Sequence, residues 1–425
     1  MKVLGKGATP GRRQERGAVT LLPRPAARPV FCPVISVDDH LVEPPTLFEG
    51  RLPARLRDAA PRVVTDDDGL PRWLVDGERL PIGMPNALVG RPMEEWNVAP
   101  ARFDEFLPGV TDPDERVADM EVAGIWASLP FPSMVWGFAG SRFAAMTDRE
   151  LGLACLRAYN DWLLEEWCGA APDRFIPCQV AWLADPDGAA AEVRRNAERG
   201  FRAVSFSENP EGQGMPSIHS GAWDPFFAAC EETGTVVNLH VGSRGAITTG
   251  STDSPVEVTV ALFPVSGIVA LTDWIFSRVP LRFPGIKVAL SEGGASWVPM
   301  VVERLRRAYR QASASTHWSA ADPDPVDVMH RNFSFTSIED PTAFQHLDVI
   351  GAGNVMVEVD YPHGDSSWPD TQALLAAQLA HLPPDDVARV CFANAAALYR
   401  HPAPPPDRIE RSEIGPALTA AGPGR

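Results

Sequence analysis

Two carboxylates and two imidazoles stand where apolar, β-branched runs end: Asp38 and His40 in PVISVDDH, His240 in TVVNLHVG, and Asp360 in VMVEVDY. Alternation along a strand turns Asp38 and His40 to one side and Asp39 to the other. An Asp and a His so placed can share a cation, and a set of oxygen and nitrogen ligands suits Zn(II) or Mn(II). Each residue alone has a plain structural reading, His240 as a hydrogen-bonded core residue and Asp360 as the cap of a following helix. Three separate strand ends that all carry metal-binding groups favour a common site.

Gathering these residues requires a fold that brings the carboxyl ends of distant strands together. Eight runs read as buried strands, at residues 33–39, 123–131, 175–183, 201–207, 235–242, 287–293, 333–338 and 355–361. Helical stretches lie between them, the pattern of α/β units with a parallel sheet. Residues 149–169 repeat apolar side chains at helical spacing, 185–200 opens on a capping Asp and closes on Gly, and 223–234 and 296–311 follow the same logic. Eight units predict a (β/α)8 TIM barrel, whose chemistry sits at the carboxyl ends of its strands. The alternative is an open doubly wound sheet, which calls for a glycine-rich turn after its first strand; DDHLVEPP has no glycine. A bare barrel takes about 250 residues. The surplus falls mostly at residues 43–120, predicted as an insertion over the active-site mouth, in which WLVDGERLPIG forms a hairpin about its DG turn. The expected organisation is a disordered arm over 1–30, a barrel over 31–400 and an unstructured tail or strap over 401–425.

The chain has 425 residues, 45% hydrophobic and 22% charged, enough apolar material for a sizeable core. A net charge of −17 excludes nucleic acid and anionic membrane as main partners. The one basic stretch is the arm, with seven Lys or Arg against one acidic residue. Its GAVTLLPRP segment is broken by Pro and Arg before it reaches the apolar core of a signal peptide. No apolar stretch is read as approaching the ~20 residues of a bilayer span, so a soluble, cytoplasmic protein is expected. Six cysteines without a CxxC predict reduced, buried thiols. No GxSxG turn supports a serine nucleophile.

From about Val34 to Tyr399 the chain resembles the amidohydrolase-related branch of the amidohydrolase superfamily, which includes the aminocarboxymuconate-semialdehyde and resorcylate-type decarboxylases. The resemblance is carried by SVDDHLVEPP, WDPFFAACEETGTVVNLHVGS, ALSEGGASWVP and EVDYPHGDSSWP. It implies that Asp38, His40, His240 and Asp360 coordinate one divalent metal and that Asp360 also transfers protons. It also implies a homodimer. Two departures stand out. The first strand has an acid-x-His in place of the His-x-His of many relatives, with Val42 two positions beyond His40. At the sixth strand Glu292 stands where many relatives have histidine; it is a candidate acid–base group, a partner that orients the metal or its water, or an anchor of the SEGG turn. The only lysines are Lys2, Lys6 and Lys287. None falls at the end of the fourth strand, which excludes the lysine-bridged metal pair of binuclear relatives.

Further candidates are softer. Arg244 offers a bidentate fork to a substrate carboxylate, or is a surface residue. His363 and Asp365 contact substrate or shape their turn. Trp297, with Trp73, Trp96, Phe103 and Trp136, lines an aromatic pocket or belongs to core and lid. His219, His317, His330, His346, His381 and His401 are given no chemistry. The expected function is a carboxy-lyase that removes CO2 from a small aromatic or unsaturated carboxylic acid, with Asp360, Glu292 and His240 as catalytic residues. The alternatives are a metal-dependent hydrolase of an amide, ester or lactone, and a non-catalytic barrel that serves as a binding protein.

Overall fold

The computed structural model describes residues 17, 19–245, 248–251, 253–311, 317–319 and 321–421. Eight parallel strands form at the predicted runs: β1 (Val34–His40), β5 (Ile125–Phe131), β6 (Cys178–Val180), β7 (Ala203–Phe206), β8 (Val236–His240), β9 (Val288–Ser291), β10 (Phe333–Ser337) and β11 (Val355–Val357). Their side chains are buried almost throughout, because helices cover the outer face and the strands pack on one another within. Strands β6 to β11 pair in sequence order as one sheet, and β1 pairs with β5 as a second. Hydrogen bonds link the two sheets at both seams. Ser128 N–H donates to Arg174 O at 2.9 Å and Ile176 N–H to Ser128 O at 2.9 Å on one side. Asp360 N–H donates to Asp38 O at 2.9 Å, and Val359 N–H to Ser36 Oγ at 2.9 Å, on the other.

The helices start and stop where the sequence predicts. Asp148 caps Arg149–Trp162 and Asp185 caps Pro186–Arg199, each carboxylate accepting first-turn N–H groups. Gly200 closes the second helix at φ 115°, a conformation that a side chain would strain. Between β1 and β5 lies an antiparallel sheet of β2 (Arg62–Thr65), β3 (Pro71–Val75) and β4 (Glu78–Pro81). Its DG turn forms at Asp76–Gly77, both with positive φ. The chain then returns to the mouth of the parallel strands, where Leu88 and Val89 N–H donate to Pro362 O and Ala87 pairs with His363.

Three expectations are corrected. Residues 19–30 of the arm are ordered along the body: Leu22 N–H donates to Gly90 O, Arg28 N–H donates to Val122 O, and Arg24 meets buried Asp119 at 2.6 Å. Arg24 supplies the charge that Asp119 needs, a pairing invisible in local composition. Residues 1–16 and 18 lie outside the described residues. Residues 401–421 of the tail are folded as well, with helices Pro406–Glu410 and Gly415–Ala421, and 422–425 lie outside the described residues; Glu413 and Ile414 donate to Val30 O and Phe31 O, and Arg408 clasps Glu121 in a two-bond fork. Its prolines and glycines set turns between short helices. Lastly, Val256–Phe276 is, by length and composition, apolar enough to cross a membrane, with a mean hydropathy of 1.7 over 21 residues. The helix breaks at Leu262, and Ser266, Gly267, Ala270, Leu271, Trp274 and Ile275 pack into the α/β body, while Val256, Val260 and Val269 face outward. All six cysteines are buried and free.

Candidate metal centre

Alternation on β1 acts as expected. Asp39 turns away from the mouth, taking the Ser128 hydroxyl at 2.5 Å and the Tyr361 N–H at 3.0 Å. Asp38 and His40 turn inward and are fully buried. His40 Nε2 lies 3.1 Å from His240 Nε2, 3.5 Å from Asp38 Oδ1 and 3.3 Å from Asp360 Oδ1, and His240 Nε2 lies 3.5 Å from Asp38 Oδ1. Ligands held about 2.1 Å from one tetrahedral ion lie roughly 3.4 Å apart, close to these separations; Asp38, His40 and His240 gather within 4.8 Å of one another, and His40, Asp360 and His363 do so as an adjoining set. His240 Nδ1 donates to Val241 O at 2.7 Å, and this leaves the Nε2 lone pair facing the site.

Both Asp38 oxygens are buried without a hydrogen-bond partner among the described residues, whereas both Asp360 oxygens lie within 2.9 Å of His363 Nδ1. An unpaired buried carboxylate is costly, and a divalent ion among these atoms removes that cost. The electrostatics agree. Burial pushes the Asp38 carboxyl up, and burial with the charges of Glu292, Asp365 and Asp38 pushes Asp360 well up. Burial drives His40 well down, helped by His363 and His240. Burial also opposes charge on His240, but Asp38 and Glu292 outweigh it and raise the imidazole to about 10. A cation reverses this crowding of like charge. The residues therefore fit a divalent metal.

The remaining candidates separate into two groups. Glu292 belongs to the centre: β8 and β9 pair His240 with Ser291, which places the Glu292 carboxylate 3.6 Å from His240 Nδ1 and 3.9 Å from His363 Nδ1. His363 belongs too, its ring stacked on His40 at 4.1 Å and its Nδ1 2.9 Å from Asp360 Oδ2. Asp365 offers an oxygen to the same cluster from the exposed side. Arg244 lies further round the mouth with Glu208, Ser266 and Asp273 around a small cavity. Trp297 braces the turn behind Glu292, its indole donating to Gly293 O at 2.8 Å and its ring edge-on to Phe335. Trp73 and Trp136 pack on each other and on Phe48, buried in the contact between the antiparallel sheet and the segment after β5.

Sequence reasoning missed several neighbours. Glu208, two residues beyond the end of β7, is buried, and burial lifts its carboxyl to about 7. Glu358 shares the inward parity of Asp360, and burial lifts it to about 8. Both follow the strand-end rule that picked out the candidate ligands. Phe138, whose ring lies 4.1 Å from that of His240 and 5.0 Å from that of His40, carried no such signal. Neither did Arg116, which is buried over the Tyr361 ring at 4.3 Å and donates to His40 O and Gly109 O. Glu292 and Asp360 both have left-handed backbones, at φ 62° and 56°, conformations that cost free energy and persist only where surrounding contacts impose them.

Residues 98–401 match the family model described as Amidohydrolase. The chain is 22% identical over 342 residues to gamma-resorcylate decarboxylase of Rhodococcus jostii (strain RHA1), a span of 72% of this chain and 97% of that protein. A solved amidohydrolase from Mycobacterium avium subsp. paratuberculosis K-10 superposes with a TM-score of 0.68 at 23% identity, covering 87% of this chain and 99% of the other. The 5-carboxyvanillate decarboxylase of Novosphingobium aromaticivorans DSM 12444, complexed with manganese and 4-hydroxy-3-methoxy-5-nitrobenzoic acid, does so with a TM-score of 0.60 at 16% identity, covering 87% and 96%. At these identities the structural likeness establishes a common fold.

Proposed function

Because the chain belongs to the amidohydrolase family and is an enzyme of decarboxylase or hydrolase type, we propose that it is a carboxy-lyase using one divalent ion, Mn(II) or Zn(II). Its substrate is a small aromatic or unsaturated carboxylic acid, and its eight strands close as a (β/α)8 barrel with residues 43–120 over the mouth. The observation that carries this reading is the gathering of Asp38, His240 and Asp360 around His40 Nε2, with both Asp38 oxygens buried and unpaired, beside the Asp360–His363 pair. Decarboxylation is favoured within the class by the gamma-resorcylate decarboxylase relative and by the manganese-bound decarboxylase of the same fold.

Asp38, His40, His240 and Asp360 would hold a divalent ion, which would supply fixed positive charge to a substrate carboxylate and to the negative charge that develops as CO2 leaves. Burial keeps His363 neutral, its imidazole lowered to about 3, while Asp360, held well above its ordinary value, carries the proton with Oδ2 2.9 Å from His363 Nδ1 and delivers it to the carbon that loses CO2. Phe131 and Phe138 flank both metal-site imidazoles and keep water from them. His363 and Trp297 bound the substrate on the side of Glu292, and Arg244 offers its fork to a carboxylate at the far rim. The outward valines of the Val256–Phe276 stretch give a homodimer its apolar face.

Glu292 favours a second reading. A carboxylate between two imidazoles is able to take the proton of an attacking water, as a hydrolase of amides, esters or lactones requires. Metal analysis of the purified protein, followed by parallel screens of hydroxylated aromatic acids for CO2 release and of esters and amides for hydrolysis, separates the two. Metal-dependent hydrolysis without any CO2 release refutes the carboxy-lyase.

A further inference from the structure

Glu292 has a left-handed backbone at φ 62°, and Glu is not among the residues that tolerate this region well. Something must hold it. Its N–H donates to Glu358 Oε2 at 3.0 Å and lies 3.2 Å from Thr336 Oγ1. Thr336 Oγ1 in turn donates to Leu290 O at 3.0 Å, which fixes its hydroxyl proton and leaves a lone pair for Glu292. Glu358 is 2% exposed, directly after β11, and its own N–H donates to Ser337 O, so its backbone is locked into the sheet. A fully extended backbone at residue 292 would carry the side chain away from His240. The left-handed turn brings the carboxylate between His240 and His363.

An apolar side chain of similar size would fill this buried position with no polar group left to satisfy. The position of Glu358 on the Glu292 amide gives it a different use. We propose that Glu358 is a positioning residue, a hydrogen-bonding clamp from the eighth parallel strand that holds the Glu292 turn in its left-handed form and so aims the Glu292 carboxylate at the reacting centre. This rests on the reading of Glu292 as an acid–base or substrate-contacting group.

The test compares Glu358→Leu, Glu358→Gln and Glu292→Gln as Mn(II)-loaded full-length proteins, by crystallography, denaturation, Mn(II) binding and kcat/KM on whichever substrate the two screens identify. In Glu358→Leu, residue 292 is expected to leave the left-handed region, with stability equal to or above wild type and Mn(II) affinity within about threefold. Its kcat/KM is expected to fall on the order of 100-fold, the scale of an ångström misplacement of a reacting group. Glu358→Gln, which keeps a carbonyl acceptor, is expected to stay within about fivefold of wild type. A Glu358→Leu structure that leaves residue 292 unmoved overturns the clamp, whatever the kinetics. So does a loss of activity that parallels losses of stability and metal affinity, which marks a merely structural role. Full activity in Glu292→Gln removes the underlying reading of Glu292 instead.

Discussion

Asp360→Asn isolates the central claim that one carboxylate both completes the metal set and carries the proton. Asn tolerates the left-handed backbone at φ 56° better than most residues and keeps the size of the side chain, so the turn should survive. It removes a charge and the acidic proton. Loss of a positioned acid–base group costs about 10²- to 10⁴-fold in rate, or about 2.7 to 5.5 kcal/mol of barrier. The stability effect has the opposite sign in metal-free protein. Burial and the neighbouring carboxylates hold Asp360 well above its ordinary value, so its contribution is present below the ordinary carboxylate pKa and is lost as pH rises. At pH 8 metal-free Asp360→Asn should therefore be more stable than metal-free wild type, by about 1 to 4 kcal/mol on the scale of buried-charge replacements. With Mn(II) the order should reverse, because wild type gains about 4 kcal/mol at a thousandfold excess over Kd and the variant binds less tightly. Denaturation in EDTA and in Mn(II), with CO2 release measured at saturating Mn(II), tests all three terms. Wild-type kcat, or a destabilised metal-free variant, refutes the reasoning.

Other outcomes follow from the same geometry. Burial lifts Glu43, which accepts from the Ser133 N–H and hydroxyl, to about 7. Its contribution to stability is thus full below about 4.5 and is lost as pH rises through 7, about 3 kcal/mol in all. Glu43→Gln should flatten that slope in denaturation series at pH 5 and pH 8, and an unchanged slope contradicts the assignment. Arg116→Met leaves buried Asp39 without the cation that favours its charge and His40 O without a donor; a loss of about 3 to 5 kcal/mol is expected by chemical denaturation. Chelation should abolish turnover and lower the Tm, with both restored by Mn(II) and neither by Ca(II), which prefers more oxygen ligands than this centre offers. Val260→Asp places a charge on the outward apolar face and should shift a dimer to monomer in light scattering.

The site was legible where chemistry followed strand parity. Asp38, His40, His240 and Asp360 stand at the ends of runs whose apolar character is unambiguous, and the alternation that turns Asp39 aside is a local property of the backbone. The same parity points to Glu358, but an acid inside an apolar run, two residues short of its end, has no local signal to separate it from Asp360. Arg116 and Phe138 were hidden for a different reason: their partners lie 76 and 102 positions away, and no local pattern records such pairs. The folded tail and the ordered residues 19–30 were missed for the same cause, since Glu121, Asp119, Val30 and Phe31 hold them through contacts across the chain.

The sequence by itself determined the eight strands, the caps and stops of the main helices, the DG hairpin and which candidate metal-binding residues stand at strand ends, because each depends on side-chain periodicity or on hydrogen bonds within a few residues. Only the tertiary structure decided what those residues face. Parallel pairing sets His240 against Ser291 and so brings Glu292 to the imidazoles, the seam between β1 and the chain after β11 joins Asp38 to Asp360, and the left-handed turn at Glu292 exists because a carboxylate 66 positions away accepts its N–H. Those are long-range contacts, and their free energy appears only when the chain closes on itself.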